Sequence, residues 1–345
     1  MATIRDVAAR AGVSPTTVSI VMNGRAKEKR IPDATVERVT SAMRELGYSP
    51  NLTARRLRTN EARKPIIAFY WPLDYRTNML GSFLSGIKES LAERGYECEL
   101  VVQTYENDKF EKAAAPIVQN NYNGVLVGAA SPSDLQYLET LDPPMPVVLI
   151  NRESNRFSTV GANSGNMGLQ AASLIRQRGY TEVSIIQAER SYFATAKRTT
   201  AFIYACHQLN IQVRPEWIFK GPNTIAGGSV AAEAYCALHD RPRMLFCESD
   251  CMAQGALYTL RKYGLYCPQD LELLSIATQA PETMQYLIPS VSTISMPTPK
   301  IADTAIAVLT TAMQSGDTTP THIELEPVIC LRESFRLSGA AAGTR

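Results

Sequence analysis

Residues 3–23 read TIRDVAARAGVSPTTVSIVMN, and this stretch decides how the amino-terminal part of the chain folds. Asp6 follows Thr3 by three residues, which is the spacing of a capping box and predicts that a helix begins at residue 4. The apolar residues that would share one face of this helix are Ile4, Val7, Ala8 and Ala11. Gly12 then permits a sharp turn, so the first helix is short.

A second short helix is predicted directly after this turn. Ser14 is placed to cap it, and Pro15 suits its first turn. The apolar side chains expected to point inward are Val18 and Val21. Two short helices joined by a turn that contains glycine predict a helix-turn-helix motif over residues 4–22.

A basic loop at 25–30 separates this pair from a predicted third helix. That helix should end at Gly47 and carries on one face Val36, Val39, Met43 and Leu46. Residues 1–64 hold 13 Lys and Arg against 6 Asp and Glu, whereas the rest of the chain holds 22 against 27. Such a basic head on a mildly acidic body favours a polyanionic partner for the head alone, although a merely solvated basic segment is the alternative.

The texture changes after Pro65, where apolar strands begin to alternate with amphipathic helices. Strands are predicted at 66–71, 97–102, 125–127, 147–150, 183–186, 244–247 and 271–276. Helical stretches between them include 80–94, 166–178 and 252–263. This recurring unit predicts parallel sheets with helices on both faces. The run is long enough for two such sheets, with a cleft between them as a small-molecule site.

These motifs resemble the lactose/galactose repressor (LacI-type) family of bacterial transcription regulators. The resemblance is carried by Thr3-Ile4-Arg5-Asp6-Val7-Ala8, Ala11-Gly12-Val13-Ser14, Thr17-Val18-Ser19, Asn23, Thr35, Leu46-Gly47-Tyr48-Ser49-Pro50-Asn51 and Ala54-Arg55-Arg56-Leu57. It covers nearly the whole chain, and the motifs of the head are more specific than those of the body.

The resemblance implies an all-α helix-turn-helix head at 1–49, a hinge helix and linker at 50–64, and an effector-binding and dimerisation body at 65–340. The body would have the α/β fold of periplasmic binding proteins, with two doubly wound parallel-sheet subdomains. Its chain would cross between them three times. The expected subdomains are about 65–158 with 293–322, and about 159–290 with 323–340.

The family resemblance also places residues on DNA. The second helix would lie in the major groove and present to base edges Pro15, Thr16 and Ile20. Apolar side chains there could contact thymine methyl groups, although burial in the head is the alternative for Ile20. Phosphate contacts would come from the loop at 25–30 together with Thr17, Ser19 and Asn23, although a solvated basic turn is the alternative for that loop.

In the hinge, Leu57 would be the apolar wedge inserted into the minor groove. The residues beside this wedge are Ala54, Arg55 and Arg58. Because opening a base step costs a few kcal/mol, the hinge should fold when two copies meet on DNA. The resemblance therefore implies a repressor that binds a near-palindromic operator of double-stranded DNA as a homodimer, or as a higher oligomer.

For the body, the resemblance implies a small-molecule effector such as a sugar or sugar derivative. Arg198 and Asp250 match ligand-binding positions of the family, although a surface arginine and a helix cap are the respective alternatives. By loop position alone the further candidates are Trp71, Tyr75, Ser131, Arg152, Asn223 and Gln279. Three positions depart from the family pattern, since acids are expected at Asn151 and Ala277 and an asparagine at Ser249. Losing both acids puts an ordinary monosaccharide in doubt, and Asn151 and Ser249 are still expected to contact the effector.

Other classes are less well supported. The dinucleotide-binding, phosphate-binding and nucleophile-elbow motifs do not occur, and the three histidines are widely separated, so an enzyme is disfavoured and neither a cofactor nor a metal is expected. A transport binding protein would need a signal peptide, and the first residues have no apolar core of one. The seven cysteines form no C-x-x-C pair and no apolar run reaches the length of a membrane helix, which favours a cytoplasmic protein. A regulator whose altered pocket answers to a protein partner remains an alternative.

Overall fold

The computed structural model of the chain describes residues 3–22, 26, 28–46, 64–74, 76–189 and 193–336. The head consists of three helices, which are α1 (Ile4–Ala11), α2 (Pro15–Met22) and α3 (Asp33–Glu45). The Thr3 side chain accepts a hydrogen bond from the backbone N–H of Asp6, and the Asp6 carboxylate accepts one from the backbone N–H of Thr3. The predicted capping box is therefore confirmed, as is the sharp turn, because Gly12 has a φ of 64°.

The three helices of the head enclose a small apolar core. Its buried side chains are Val7, Ala8, Ala11, Val18, Val39 and Ala42. Arg10 of α1 adds an ion pair to Glu45 of α3 at 2.6 Å. Leu46, which was predicted on the same face of the third helix as Val36 and Val39, lies one residue beyond the end of α3 at Glu45, and 36% of its surface is exposed.

The body contains twelve strands among the described residues. They are β1 (Ile66–Leu73), β2 (Glu99–Glu106), β3 (Gly124–Gly128), β4 (Val147–Ile150), β5 (Ser158–Ala162), β6 (Ser184–Ala188), β7 (Ile218–Gly221), β8 (Met244–Cys247), β9 (Glu272–Ala277), β10 (Ser292–Ser295), β11 (His322–Leu325) and β12 (Val328–Cys330). The helices that follow α3 in the chain are α4 (Thr77–Glu93), α5 (Ala115–Val118), α6 (Pro132–Thr140), α7 (Ser164–Gln177), α8 (Phe193–Gln208), α9 (Ile225–Ala237), α10 (Asp250–Lys262) and α11 (Thr298–Ser315).

The strands form two six-stranded sheets, in the orders β11-β5-β4-β3-β1-β2 and β12-β10-β9-β8-β6-β7. All neighbours are parallel except β10 and β12. Strands β3, β8 and β9 are buried along their whole length, as expected when helices cover both faces of a parallel sheet. The prediction of two doubly wound parallel-sheet subdomains is confirmed.

The chain crosses between the two sheets three times. The crossings follow β5, β10 and β11, because β5 and β11 pair in the first sheet whereas β10 pairs in the second. Each crossing thus lies a few residues beyond the positions predicted near 158, 293 and 322. Among the described residues, no helix combines the length and the apolar character needed to cross a lipid bilayer.

Candidate functional site

The second helix of the head has two distinct faces. Val18 is fully buried in the head core, whereas Thr16 and Ile20 are four residues apart and therefore share the opposite side of the helix. Pro15 and Thr16 are exposed, and Ile20 is half-buried. The structure thus brings together the three residues predicted to face base edges at the start and on one side of α2.

Two of the residues predicted to contact phosphates lie on the same helix. Thr17 is half-buried, and its backbone N–H donates to the Ser14 hydroxyl at 3.1 Å, which confirms Ser14 as the cap of α2. Ser19 is half-buried as well. Five further residues predicted to contact DNA lie outside the described part of the chain: Asn23, Ala54, Arg55, Leu57 and Arg58. Of the basic loop at 25–30, residues 26 and 28–30 are described.

The body contains a cleft of about 690 Å³, its open mouth included. Its described lining residues come from both sheets and are Trp71, Arg76, Met79, Ala129, Asn151, Arg152, Ser164, Thr195, Arg198, Asn223, Glu248, Ser249, Thr278, Gln279 and Met296. Most of them follow the carboxyl end of a strand or begin the next helix. This is where open parallel sheets bind ligands, because the loops at that edge converge.

On the side of the first sheet, two arginines are fixed by neighbouring oxygen atoms. Arg76 is 5% exposed, and its Nε donates to both carboxylate oxygens of Asp74 at 2.9 Å. Its Nη1 donates to the carbonyl oxygen of Ala129. The Arg152 guanidinium donates to the carbonyl oxygens of Ala130 and of Asn151, the latter at 2.6 Å.

Asn151 directly follows β4. Its φ of 55° is in the left-handed region, which asparagine tolerates better than most residues. The side-chain oxygen accepts a hydrogen bond from the Ala162 N–H at 3.0 Å, and the side-chain nitrogen donates to the Met296 sulfur at 3.1 Å. The amide therefore ties β4 to two of the crossing segments while it lines the cleft.

On the side of the second sheet, the lining includes the buried charged residues Arg198 and Glu248. Arg198 is 8% exposed and donates to the Thr195 hydroxyl at 3.0 Å. The Glu248 carboxylate accepts hydrogen bonds from the Ala188 N–H at 2.6 Å and from the Thr199 hydroxyl. The Ser249 hydroxyl donates to the side-chain oxygen of Asn223 at 2.6 Å, so these two residues hold the adjoining loops together.

Two of the predicted effector contacts lie away from the cleft lining. Ser131 is buried and forms a capping box with Asp134 at the start of α6. Asp250 is fully buried, and its carboxylate accepts hydrogen bonds from the N–H groups of Gln279 at 3.0 Å and of Ala280 at 2.6 Å. Burial raises the pKa of Asp250, and these N–H donors act in the opposite direction. Asp250 thus shapes the loop that carries Gln279 rather than reaching into the cleft itself.

Asp250→Asn should lower the free energy of unfolding of the body by about 1–3 kcal/mol. The substitution places an NH₂ group where the carboxylate now accepts backbone N–H donors, so at least one donor loses its buried partner. Urea unfolding followed by circular dichroism measures the change. Asp240→Asn makes the same exchange at an exposed loop position and should leave stability unaltered. Equal unfolding curves for the two variants would contradict this role of Asp250.

Side chains from the two subdomains also contact each other beside the cleft. Asn78 of α4 donates to the side-chain oxygen of Gln279 at 3.4 Å. Lys197 of α8 pairs with Glu153 at 2.6 Å, and both side chains are partly exposed. These contacts join the two halves of the body in this conformation.

Six of the eight predicted effector residues line the cleft, and several lining residues were not predicted. Trp71 was also predicted from its loop position and lines the cleft, whereas Tyr75 lies outside the described residues. The lining residues missed from the sequence include Arg76, Met79, Thr195, Glu248 and Met296. A usable signal existed for Glu248, because it directly follows the buried strand β8.

Comparisons with known proteins agree with this architecture. A family model described as bacterial regulatory proteins, lacI family, matches residues 3–51, and one described as a periplasmic binding protein-like domain matches residues 172–335. A LacI family transcription regulator from Clostridium acetobutylicum is 30% identical to this chain. That likeness covers 78% of this chain and 100% of the solved chain, with a TM-score of 0.74. The chain belongs to the LacI family.

Two further relatives show how far this LacI-family likeness extends. The HTH-type transcriptional repressor PurR of Yersinia pestis bv. Antiqua (strain Antiqua) is 29% identical over 340 residues, which cover 97% of each chain. The transcriptional regulator CelR, solved in complex with cellobiose, is 22% identical. It covers 97% of this chain and 100% of its own, with a TM-score of 0.68, and shows the shared fold. This LacI-family protein is therefore a DNA-binding transcription regulator with a helix-turn-helix head and a periplasmic-binding-protein-like body.

Proposed function

We propose that this LacI-family regulator represses transcription by binding a near-palindromic operator as a homodimer, under the control of a small-molecule effector in the body cleft. The observation that carries the DNA-binding part is the division of α2 into a buried side at Val18 and an outward side at Thr16 and Ile20. The proposal that the protein represses transcription, rather than activating it, rests on the likeness to the PurR repressor. Acting on DNA, the protein would work in the cytoplasm.

The contacts of the head follow the roles expected for a major-groove helix. Thr16 can donate to or accept from a base edge, and Ile20 and Pro15 can contact thymine methyl groups. Thr17 and Ser19 would bind phosphates with Asn23 and fix the register. In the hinge, Leu57 of each copy would insert into the minor groove and open a base step. Ala54, Arg55 and Arg58 would lie beside this wedge.

A homodimer agrees with the surface of the second subdomain. Helices α9 and α10 pack closely together, and their exposed apolar side chains include Ile225, Val230 and Tyr258. A second copy of the chain would cover them through a two-fold axis, and a two-fold symmetric protein requires an operator with matching symmetry. A change of angle between the body halves would then alter the spacing of the two heads.

The effector site would be formed by the predicted residues that line the cleft, which are Asn151, Arg152, Arg198, Asn223, Ser249 and Gln279. They come from loops of both sheets, so a bound molecule would contact both halves and favour one angle between them. The cleft thereby favours a small molecule over a protein partner as the regulator. The same lining lacks an arrangement of nucleophile and base among its described residues, so a binding role is favoured over an enzymatic one.

Thr16→Ala and Ile20→Ala should each weaken operator binding about tenfold or more, because each removes a contact to a base edge. The operator is first selected from random duplexes with the full chain, and mobility-shift titrations then compare the variants. Binding of the unaltered chain should also fall steeply as salt rises, since phosphate contacts release counterions.

Ser41→Ala is the matched control, because Ser41 is an exposed residue of α3 whose hydroxyl contacts Glu45 of the same helix. It should bind the operator normally. A flat salt response, or no preference of the full chain for any duplex over random competitor, would refute the DNA-binding proposal. Selected sites without dyad symmetry would refute the homodimer.

A further inference from the structure

The cleft is lined by three arginines from three different parts of the body. Arg76 precedes α4, Arg152 follows β4 and Arg198 belongs to α8. Arg76 and Arg198 are more than nine-tenths buried. Guanidinium groups are seldom buried so deeply unless anionic groups compensate them.

Among the described lining residues, carboxylates are fewer than guanidinium groups. Glu248 is the one carboxylate among the described lining residues, and its two oxygens already accept hydrogen bonds from Ala188 and Thr199. Asp74 lies behind the lining, where it pairs with Arg76. The described walls of the cleft therefore carry a net positive charge.

The side-chain amide oxygens of the lining already accept hydrogen bonds within the protein. The side-chain oxygen of Asn151 accepts from Ala162, and that of Asn223 accepts from Ser249. Their oxygens are thus used within the protein, whereas the hydroxyls of Ser164 and Thr278 and the amide nitrogen of Asn223 can donate to a ligand. A sugar needs acceptors for its hydroxyl hydrogens, but a phosphate or carboxylate needs donors alone.

The N-termini of two helices add to the positive potential of the cleft, although they would not by themselves form an anion site. Ser164 is the first residue of α7, a helix of 14 residues, and Ser249 caps α10, a helix of 13 residues. Both residues line the cleft, so the positive ends of two helix dipoles lie at its wall.

We propose that the effector is an anionic metabolite, and that its phosphate or carboxylate group binds Arg198 and Arg152 while Arg76 adds to the positive field of the cleft. This inference rests on the proposed effector site and deepens it by naming the ligand class. The uncharged side chain of Asn151 in the lining agrees with such a ligand, since a carboxylate at that position would repel it.

The test uses the full chain without DNA and a panel of matched probes. Each set contains a neutral parent, its phosphate and its carboxylate, such as glucose, glucose 6-phosphate and gluconate, or ribose, ribose 5-phosphate and ribonate. Thermal shift identifies the members that bind, and titration calorimetry at two salt concentrations measures affinity. We expect at least one anionic member to bind tighter than its neutral parent by about 100-fold. Comparison of the phosphate and carboxylate members then identifies which anionic group the cleft takes.

Variants tie that binding to the arginines. Arg198→Gln and Arg152→Gln should each weaken binding of the anionic probe about 100-fold, and Arg198→Lys should restore part of it because the charge returns. Arg176→Gln changes an exposed arginine near the end of α7 and should have no effect. If the Arg198 variant unfolds, the half-buried Arg152 decides the matter with the same readout.

The possible outcomes separate this inference from the proposed function. A neutral parent that binds as tightly as its anionic partners, or a panel in which no anion binds, overturns the anionic effector. A neutral binder that also alters operator binding would leave the proposed regulator intact. An anion that binds through Arg198 without altering operator binding would support an anion site in the cleft, but it would refute the proposal that this anion is the effector.

Discussion

The Gly255→Ala variant should lose about 3 kcal/mol or more of the body's free energy of unfolding. A Cβ atom at this position of α10 would lie 1.9 Å from the carbonyl oxygen of Ile225 and 2.6 Å from the backbone nitrogen of Ser229. Both atoms belong to the backbone of α9, so no side-chain rotation relieves the clash. The two helices must separate, and the loops that carry Asn223 and Ser249 must move with them. Urea unfolding and thermal melting of the full chain measure the loss.

The control for this prediction is another helical glycine with open space around it. A Cβ atom added at Gly81 of α4 would meet no heavy atom within 4 Å. Gly81→Ala should therefore stabilise the body by about 0.5–1 kcal/mol, because alanine loses less backbone entropy on folding. Comparable melting of the two variants would mean that α9 and α10 do not approach each other as closely as described.

Val18→Asp should abolish sequence-specific DNA binding while leaving the body folded. Val18 is fully buried among the few apolar side chains that hold α1, α2 and α3 together. A carboxylate placed there loses its hydration without a partner, which costs several kcal/mol. A domain as small as the head has little stability to spare. Operator affinity should fall by about 1000-fold or more, to the level of non-specific binding, in a mobility-shift titration.

Ala34→Asp provides the comparison, because it adds the same charge at an exposed position of α3. This variant should keep the head folded and retain most of its operator affinity. The melting of the body, and its binding of any effector, should be the same in both variants. Retained operator binding by Val18→Asp would show that α2 does not depend on this core, contrary to the helix-turn-helix assignment.

Most of the fold could be predicted from the sequence because its local signals agree with its packing. Strands β4 and β8 are short apolar runs, and their predicted bounds coincide with the observed ones. Strand β10 was missed, because Ser292–Ser295 is largely polar although it is fully buried. The Ser292 hydroxyl donates to the Phe335 carbonyl at 2.7 Å, and the Ser334 hydroxyl accepts from the Ser292 N–H at 2.8 Å. A strand whose polar groups are satisfied by tertiary contacts carries no apolar pattern.

Only part of the cleft lining could be predicted, because a residue reaches the cleft only from certain positions in the loop that follows a strand. Residues shortly after a parallel strand point into the cleft, and this rule found Arg152, Asn223 and Gln279. Asn151 was indicated by the family resemblance instead. The rule failed for Ser131, which caps α6 and does not line the cleft. Asp250, which the family resemblance indicated, does not line the cleft either, because β8 ends at Cys247 and Asp250 already begins α10. Glu248, which directly follows β8, is buried and lines the cleft instead. Arg76 could not be inferred, since its place depends on Asp74 and on the distant Ala129 carbonyl.

The three passages of backbone between the sheets constrain how the body can move. Asn163 in the first passage donates its backbone N–H to Leu325 at 3.0 Å and its side-chain N–H to Glu324 at 3.0 Å, beside the third. The Asn151 side chain is hydrogen-bonded both to Met296 in the second passage and to Ala162 at the start of the first. Because these three connecting segments are hydrogen-bonded to one another, they should restrict twisting and sliding of one subdomain against the other. The remaining motion would be a hinge motion with one degree of freedom. The concentration of a molecule that binds in the cleft would then determine one angle between the two subdomains.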